Sequence, residues 1–199
     1  MTWALVPAKG FERAKGRLAA GLDPVARSAV ARALLARVLT ALTSRPLSGI
    51  LVLTNGEGPA ALAREVGAEV LPDAGPLPLA ALVDAGLRSL AARGAARALV
   101  VMGDLPFLTG SDVDLMIAAL DRAEVVVAPD REGRGTNALG LTPPNRVATC
   151  FGHPEDSFTR HCRAARAAGA TLEVVRSPAL AFDLDAPEDL PYLAGTLAG

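Results

Sequence analysis

The chain has 199 residues, 51% hydrophobic and 21% charged, with a formal net charge of −1. The length suits one domain, since domains run to about 100–200 residues, and the composition excludes a disordered chain. The near-neutral balance gives no basis for binding nucleic acid or an anionic membrane.

A chain of this size can bury roughly 70% of the surface its unfolded form exposes, so it needs no staples. Its two cysteines, Cys150 and Cys162, are too few for a disulfide framework. No apolar run reaches the roughly 18 residues of a membrane span. The opening MTWALVPAKG is too short in apolar residues for a signal peptide, so a cytoplasmic protein is expected. Lys9 and Lys15 are the only lysines, both near the start.

Taken in order, strand-like runs alternate with helix-like ones. Ala4 to Val6 is a short apolar strand closed by Pro7. Asp23 reads as an N-cap with Pro24 at the first helical position. Val30, Leu34, Leu35, Val38, Leu39 and Leu42 then recur at helical spacing. GILVL (49–53) is a strand, 59–66 a short helix stopped by Gly67, and 69–71 a third strand. A helix is predicted over 79–92. ALVVM (98–102) is the strongest strand, continuous and β-branched. Ser111 is predicted to cap the next helix, with Asp114 as its box partner. Strands follow at 125–127 and 138–141. Ser157 opens a helix to Ala168, 172–175 is a strand, and 187–193 a last helix.

Such alternation implies crossover connections and an α/β architecture: a mostly parallel central sheet with helices on both faces. Ligands then sit beyond the carboxyl ends of the strands. Beyond the first strand lies KGFERAKGR, with Lys9, Arg13, Lys15 and Arg17 in a glycine-containing loop able to wrap polyphosphate, or simply a solvated basic surface. Asp104, after ALVVM, is placed to hold Mg²⁺ under a triphosphate, or is an ordinary loop aspartate. PDREGRGTN offers Arg131, Arg134, Thr136 and Asn137 as an anion clasp; its other reading is a hairpin turn. Ser157 is a helix cap or an anion ligand. Asp183 and Asp185 share a side if extended and could complete a metal site with Asp104; Asp185 could equally cap the helix at Pro187. Cys150, His153, His161 and Cys162 make a poor zinc set, since His161 and Cys162 are adjacent on a helix and point some 100° apart.

These pieces together resemble the 2-phospho-L-lactate guanylyltransferase family, including its phosphoenolpyruvate-using bacterial branch, which acts in biosynthesis of coenzyme F-420. The resemblance runs through VPAKGFERAKGRLA, GDLPFL, VVVAPDREGRGTNALGL, the FG…SF…RH stretch and FDLDAPEDL. It implies a single-domain, Rossmann-like nucleotidyltransferase fold over 1–199. It also implies GTP and a small phosphorylated carboxylic acid as substrates and Mg²⁺ as cofactor; the sequence leaves the oligomeric state open, a homodimer being one assembly. Lys15 then matches a nucleotide-phosphate lysine, with Lys9 and Arg17 beside it. Asp104 matches a metal aspartate, and Asp185, less closely Asp183, a second. Thr136, Gly152 and Ser157 match positions that hold the acid. Two departures stand out: FGHPEDS is two residues longer than the family's stretch, and Leu77-Pro78 replaces its G-L-N. A sugar-phosphate or molybdenum-cofactor nucleotidyltransferase shares the first loop and GDLP but leaves GTNALGL without a role; an inactive homologue is the remaining alternative.

Overall fold

Alternate side chains of the central strands fall into two separate cores, one on each face of the sheet, because successive strand residues point opposite ways. The computed structural model describes residues 1–73, 75, 77–152 and 156–193. Its strands are β1 (Thr2–Pro7), β2 (Gly49–Leu53), β3 (Glu69–Leu71), β4 (Arg97–Val101), β5 (Val125–Pro129), β6 (Thr136–Leu141) and β7 (Leu172–Val174). They form one seven-stranded sheet in the order β3-β2-β1-β4-β6-β5-β7. Only β6 runs against its neighbours β4 and β5; the other pairings are parallel. The expected mostly parallel sheet is therefore observed.

One core takes Ala4, Val6, Val52, Leu99, Val101 and Val126 from the sheet. It is covered by α1 (Pro24–Thr43), α2 (Glu57–Glu65) and α4 (Gly110–Leu120). The other takes Leu5, Leu51, Val100, Val127 and Leu139, under α3 (Leu79–Ala92) and α5 (Ser157–Ala167). Leu99 is fully buried, so truncating it to alanine is expected to cost about 2–5 kcal/mol. On α1 the stripe Leu34, Leu35, Val38, Leu39 and Leu42 is buried as its spacing requires. Asp23 caps this helix, its Oδ1 accepting from the Ala26 N–H at 2.8 Å.

Several boundaries differ from the sequence expectations. The cap of α4 is Thr109, not Ser111, and its box partner is Asp112, not Asp114. Thr109 and Ser111 both have an aspartate three residues on. Asp112 wins because it is buried and accepts the Ser177 hydroxyl at 2.5 Å, a contact 65 positions away. Helix α2 begins at Glu57, two residues early, and the segment 187–193 is a 3-10 helix. Two further 3-10 turns, Phe11–Arg13 and Gly16–Ala20, lie in the basic loop, and a short α6 spans Pro178–Ala181.

The antiparallel strand matters most for the site. Because β6 is reversed, its first residues lie beside the carboxyl ends of the parallel strands. Ala138 pairs with Val101, and the Asn137 carbonyl accepts the Met102 N–H at 2.9 Å. Thr136 and Asn137, expected in a loop, are thus strand residues, and Arg131–Gly135 is the hairpin turn that joins β5 to β6.

Candidate active site

Two clefts open along this edge and meet at Asp104. The larger, about 890 Å³, is lined by Ala8, Lys9, Phe11, Lys15 and Arg17 on one side and by Asp73, Leu77, Leu79 and Leu82 on the other. The smaller, about 530 Å³, is lined by Arg131, Arg134, Thr136, Asn137, Ser157 and Asp183. Asp104, Asp185, Gly152, Arg17, Leu79 and Met102 line both.

Lys15 is the hub. Its Nζ lies 2.7 Å from Asp104 Oδ2 and 3.4 Å from Asp185 Oδ1, and it also donates to the Leu184 carbonyl. Burial alone would push the ammonium down, but Asp104 and then Asp185 hold it above its ordinary value. Its backbone is left-handed, at φ 55° and ψ 39°, the one non-glycine with positive φ among the described residues. A side chain in that region costs about 1–2 kcal/mol, so the surroundings must enforce the turn. Two contacts do so. Leu18, Leu34 and Leu184 form a small buried cluster that pins the loop after Lys15 to the 183–185 segment. The Asp104 carbonyl accepts the Leu184 N–H at 3.1 Å.

Asp183 faces the smaller cleft, with its Oδ1 3.3 Å from Asn137 Nδ2. Burial first, then Asp104 and Asp185, push its carboxyl up to about 6. Asp185 turns to Lys15 and to Arg17, at 3.3 Å. In place of the alternative reading, a cap by Asp185 at Pro187, the Asp189 carboxylate accepts the backbone N–H groups of Asp185 and Ala186, at 3.0 and 2.9 Å. Arg131 in turn ion-pairs with Asp189 at 2.6 Å and stacks over the Phe182 ring, 4.5 Å from its centroid.

The expected anion clasp is therefore partly committed elsewhere. Arg131 is held by Asp189, Arg134 pairs with Glu132, and the Asn137 amide donates to the Leu180 carbonyl and to Asp183. The hydroxyls remain at the cleft. Ser157 does not cap α5: it is the first helical residue, and its Oγ donates to Thr136 Oγ1 at 3.4 Å. The Phe158 N–H donates to the Arg134 carbonyl at 2.9 Å, closing the hairpin onto the helix. Gly152 sits at φ +83°, so a side chain there is disfavoured by the backbone, although its Cβ would meet Leu79 Cβ only at ordinary contact distance, 3.4 Å. Of the weak zinc set, His153 lies outside the described residues, along with Pro154 and Glu155. His161 is instead fully buried against Thr136 and the Cys150 amide. The sequence reading weighed His161 only as a zinc ligand and gave no role to Asp189 or Asp73; His161 meets Thr136 25 positions away and Asp189 meets Arg131 58 positions away.

The sheet, basic loop and carboxylates that gather at its edge make this chain a nucleotidyltransferase. More narrowly, it belongs to the guanylyl transferase CofC-like family, whose profile matches residues 2–194. It is 38% identical to the phosphoenolpyruvate guanylyltransferase of Conexibacter woesei, over 99% of this chain and 89% of that one. It is 33% identical to the 3-phospho-D-glycerate guanylyltransferase of Phenylobacterium zucineum, over 98% and 90% of the two chains. A nucleotidyl transferase from Methanothermobacter thermautotroptrophicus superposes with a TM-score of 0.71 at 17% identity, over 99% and 97% of the chains; at that identity the likeness concerns the fold.

Proposed function

We propose that the chain moves GMP from GTP onto a small phospho-carboxylic acid, phosphoenolpyruvate or a close analogue, and releases pyrophosphate. The observation that carries this reading is the meeting of two clefts at Asp104 and Asp185, one basic and apolar, the other rich in hydroxyls and glycine. The larger cleft suits the nucleotide. Its basic wall faces the triphosphate, and Asp73, held by Asn55 Nδ2 and the Gly75 N–H, is a carboxylate able to accept from the N–H groups of guanine. The smaller cleft suits the acid, with Thr136, Ser157 and Gly152 as its polar lining. The naming of the relatives in Conexibacter woesei and Phenylobacterium zucineum supports a phospho-acid over a sugar phosphate. The family resemblance supports a place in coenzyme F-420 biosynthesis.

The chemistry needs little from the protein as a base. A phosphate monoester is already largely dianionic near neutral pH, since its second pKa is about 6. Its oxygen attacks the α-phosphorus of GTP, and the bond from that phosphorus to the bridging oxygen breaks as pyrophosphate leaves. The barrier is repulsion between anions and charge on the leaving group, which positioning and fixed cations lower. Lys15 and Arg17 supply cations at the junction, and the glycine-containing loop supplies amides.

Mg²⁺ fits this site. Asp104, Asp183 and Asp185 are oxygen donors, and Asp183 is a carboxylate whose charge the fold penalises and a cation would relieve. Mg²⁺ takes one or two carboxylates together with substrate phosphates. When bound, it would neutralise phosphate charge; Asp104 and Asp185 would hold it, with Asp183 beside them.

The test is pyrophosphate release from GTP, ATP and CTP against phosphoenolpyruvate, 2-phospholactate, 3-phosphoglycerate and glucose 1-phosphate. Turnover with GTP and a phospho-acid is expected. Turnover with glucose 1-phosphate alone would overturn the reading.

A further inference from the structure

His161 lies on α5 one turn after Ser157 and has no exposed surface. Its two ring nitrogens face different partners. Nε2 is 2.8 Å from the Cys150 amide nitrogen, and an amide N–H can only donate, so Nε2 must be bare. In the neutral ring the proton then sits on Nδ1, 3.0 Å from Thr136 Oγ1. Burial holds the ring neutral, pushing its pKa down to about 4 against a backbone hydrogen bond with Ser157 that the ring also makes. The Phe151 ring packs edge-on against it, with centroids 4.8 Å apart.

We propose that His161 is a positioning residue for the acceptor cleft, donating through Nδ1 to the Thr136 oxygen and anchoring through Nε2 the loop that carries Gly152. A threonine hydroxyl has two lone pairs and one proton. The lone pairs take the His161 N–H and the Ser157 hydroxyl at 3.4 Å. The remaining Thr136 proton is thereby directed into the cleft, the polarity an anionic oxygen requires. The ring also couples three elements that have no regular pairing with one another: the start of β6, the Cys150–Gly152 loop and the first turn of α5. One buried side chain thus sets the spacing of Thr136, Gly152 and Ser157.

This rests on the reading of the smaller cleft as the phospho-acid site, and the experiment separates the two. The variants are His161→Gln, whose amide oxygen can reach the Nε2 position and keep the Cys150 contact, and His161→Asn, whose amide nitrogen matches Nδ1 and keeps the Thr136 contact. KM is measured for phosphoenolpyruvate and for GTP in each, and again in a Thr136→Val background. His161→Gln is expected to raise the acid KM about threefold to tenfold, the loss of one neutral hydrogen bond. His161→Asn is expected to raise it less, and both should leave the GTP KM within about twofold of wild type. In the Thr136→Val background His161→Gln should add almost nothing, since contacting residues couple. If wild type uses no phospho-acid, the reading of the cleft and this inference fall together. If wild type turns over, but His161→Gln shifts both KM values alike or acts in full without the Thr136 hydroxyl, this inference alone falls.

Discussion

Lys15 and Asp104, 89 positions apart, form a part-buried ion pair with Nζ 2.7 Å from Oδ2, on a lysine held in a left-handed backbone turn. The pair binds the basic loop to the end of β4 and sets positive charge at the junction of the two clefts.

The backbone of Lys15 can be separated from its side chain. Lys15→Ala and Lys15→Gly both remove the ammonium and should both lower turnover by orders of magnitude. Glycine accepts the left-handed turn without penalty. Lys15→Gly should therefore be more stable than Lys15→Ala by about 1 kcal/mol in urea unfolding. Equal stabilities would show that the turn is not enforced.

Asp183 carries a charge the fold resists. Its folded pKa of about 6 exceeds the ordinary 3.8, so the folded state binds more protons between those values. Its contribution is favourable below pH 4 and is lost as pH rises to 6. Asp183→Asn should stabilise the protein at pH 8 by at most about 3 kcal/mol, with the gain vanishing toward pH 4. Urea midpoints across that range test the sign; a variant less stable at pH 8 would contradict it. Mg²⁺ should raise the wild-type midpoint at pH 8 more than the variant's.

His161 acts in the opposite sense. Its folded pKa of about 4 lies below the ordinary 6.5, so the unfolded state binds more protons in between. Its contribution is complete above pH 6.5 and is lost as pH falls toward 4. His161→Gln should flatten the acid side of the stability profile, and an unchanged slope would count against a neutral buried ring.

The two arginines of the hairpin should behave differently. Arg131→Ala frees Asp189, which fixes the Asp185 amide. It should lower thermal stability and raise the Mg²⁺ concentration needed for half-maximal rate, with an acid KM within about threefold of wild type. Arg134, whose partner Glu132 is exposed, can turn to substrate. Arg134→Ala should raise the acid KM about tenfold. The reverse pattern would show that Arg131 leaves Asp189 to bind the acid.

Ser157→Ala should raise the KM for the acid roughly tenfold and leave that for GTP nearly unchanged. Equal effects on both would indicate a folding defect instead.

The strands and the α1 stripe were legible because their patterns are local: Leu34 to Leu42 shows its buried face in its own spacing. What escaped depended on distant partners. Ser111 and Thr109 are equivalent caps until Ser177 bonds Asp112. The reversal of β6 could not be read from TNALGL, whose residues suit either direction, and it is the reversal that brings Thr136 and Asn137 to the site. Arg131 suits an oxyanion in isolation, but Asp189, 58 positions on, claims it. His161 is one of only two histidines and sits on the buried face of α5; its value lies in bonds to Thr136 and Cys150 that no spacing reveals.

The central claim is tested most directly by identifying the product. Wild-type protein is incubated with GTP, Mg²⁺ and phosphoenolpyruvate, and the mixture is analysed by mass spectrometry and phosphorus NMR. The expected result is a mixed diphosphate joining GMP to the acid, one pyrophosphate per adduct, and no adduct with Asp104→Asn. Hydrolysis of GTP without an adduct, or an adduct formed equally well by Asp104→Asn, would contradict the account.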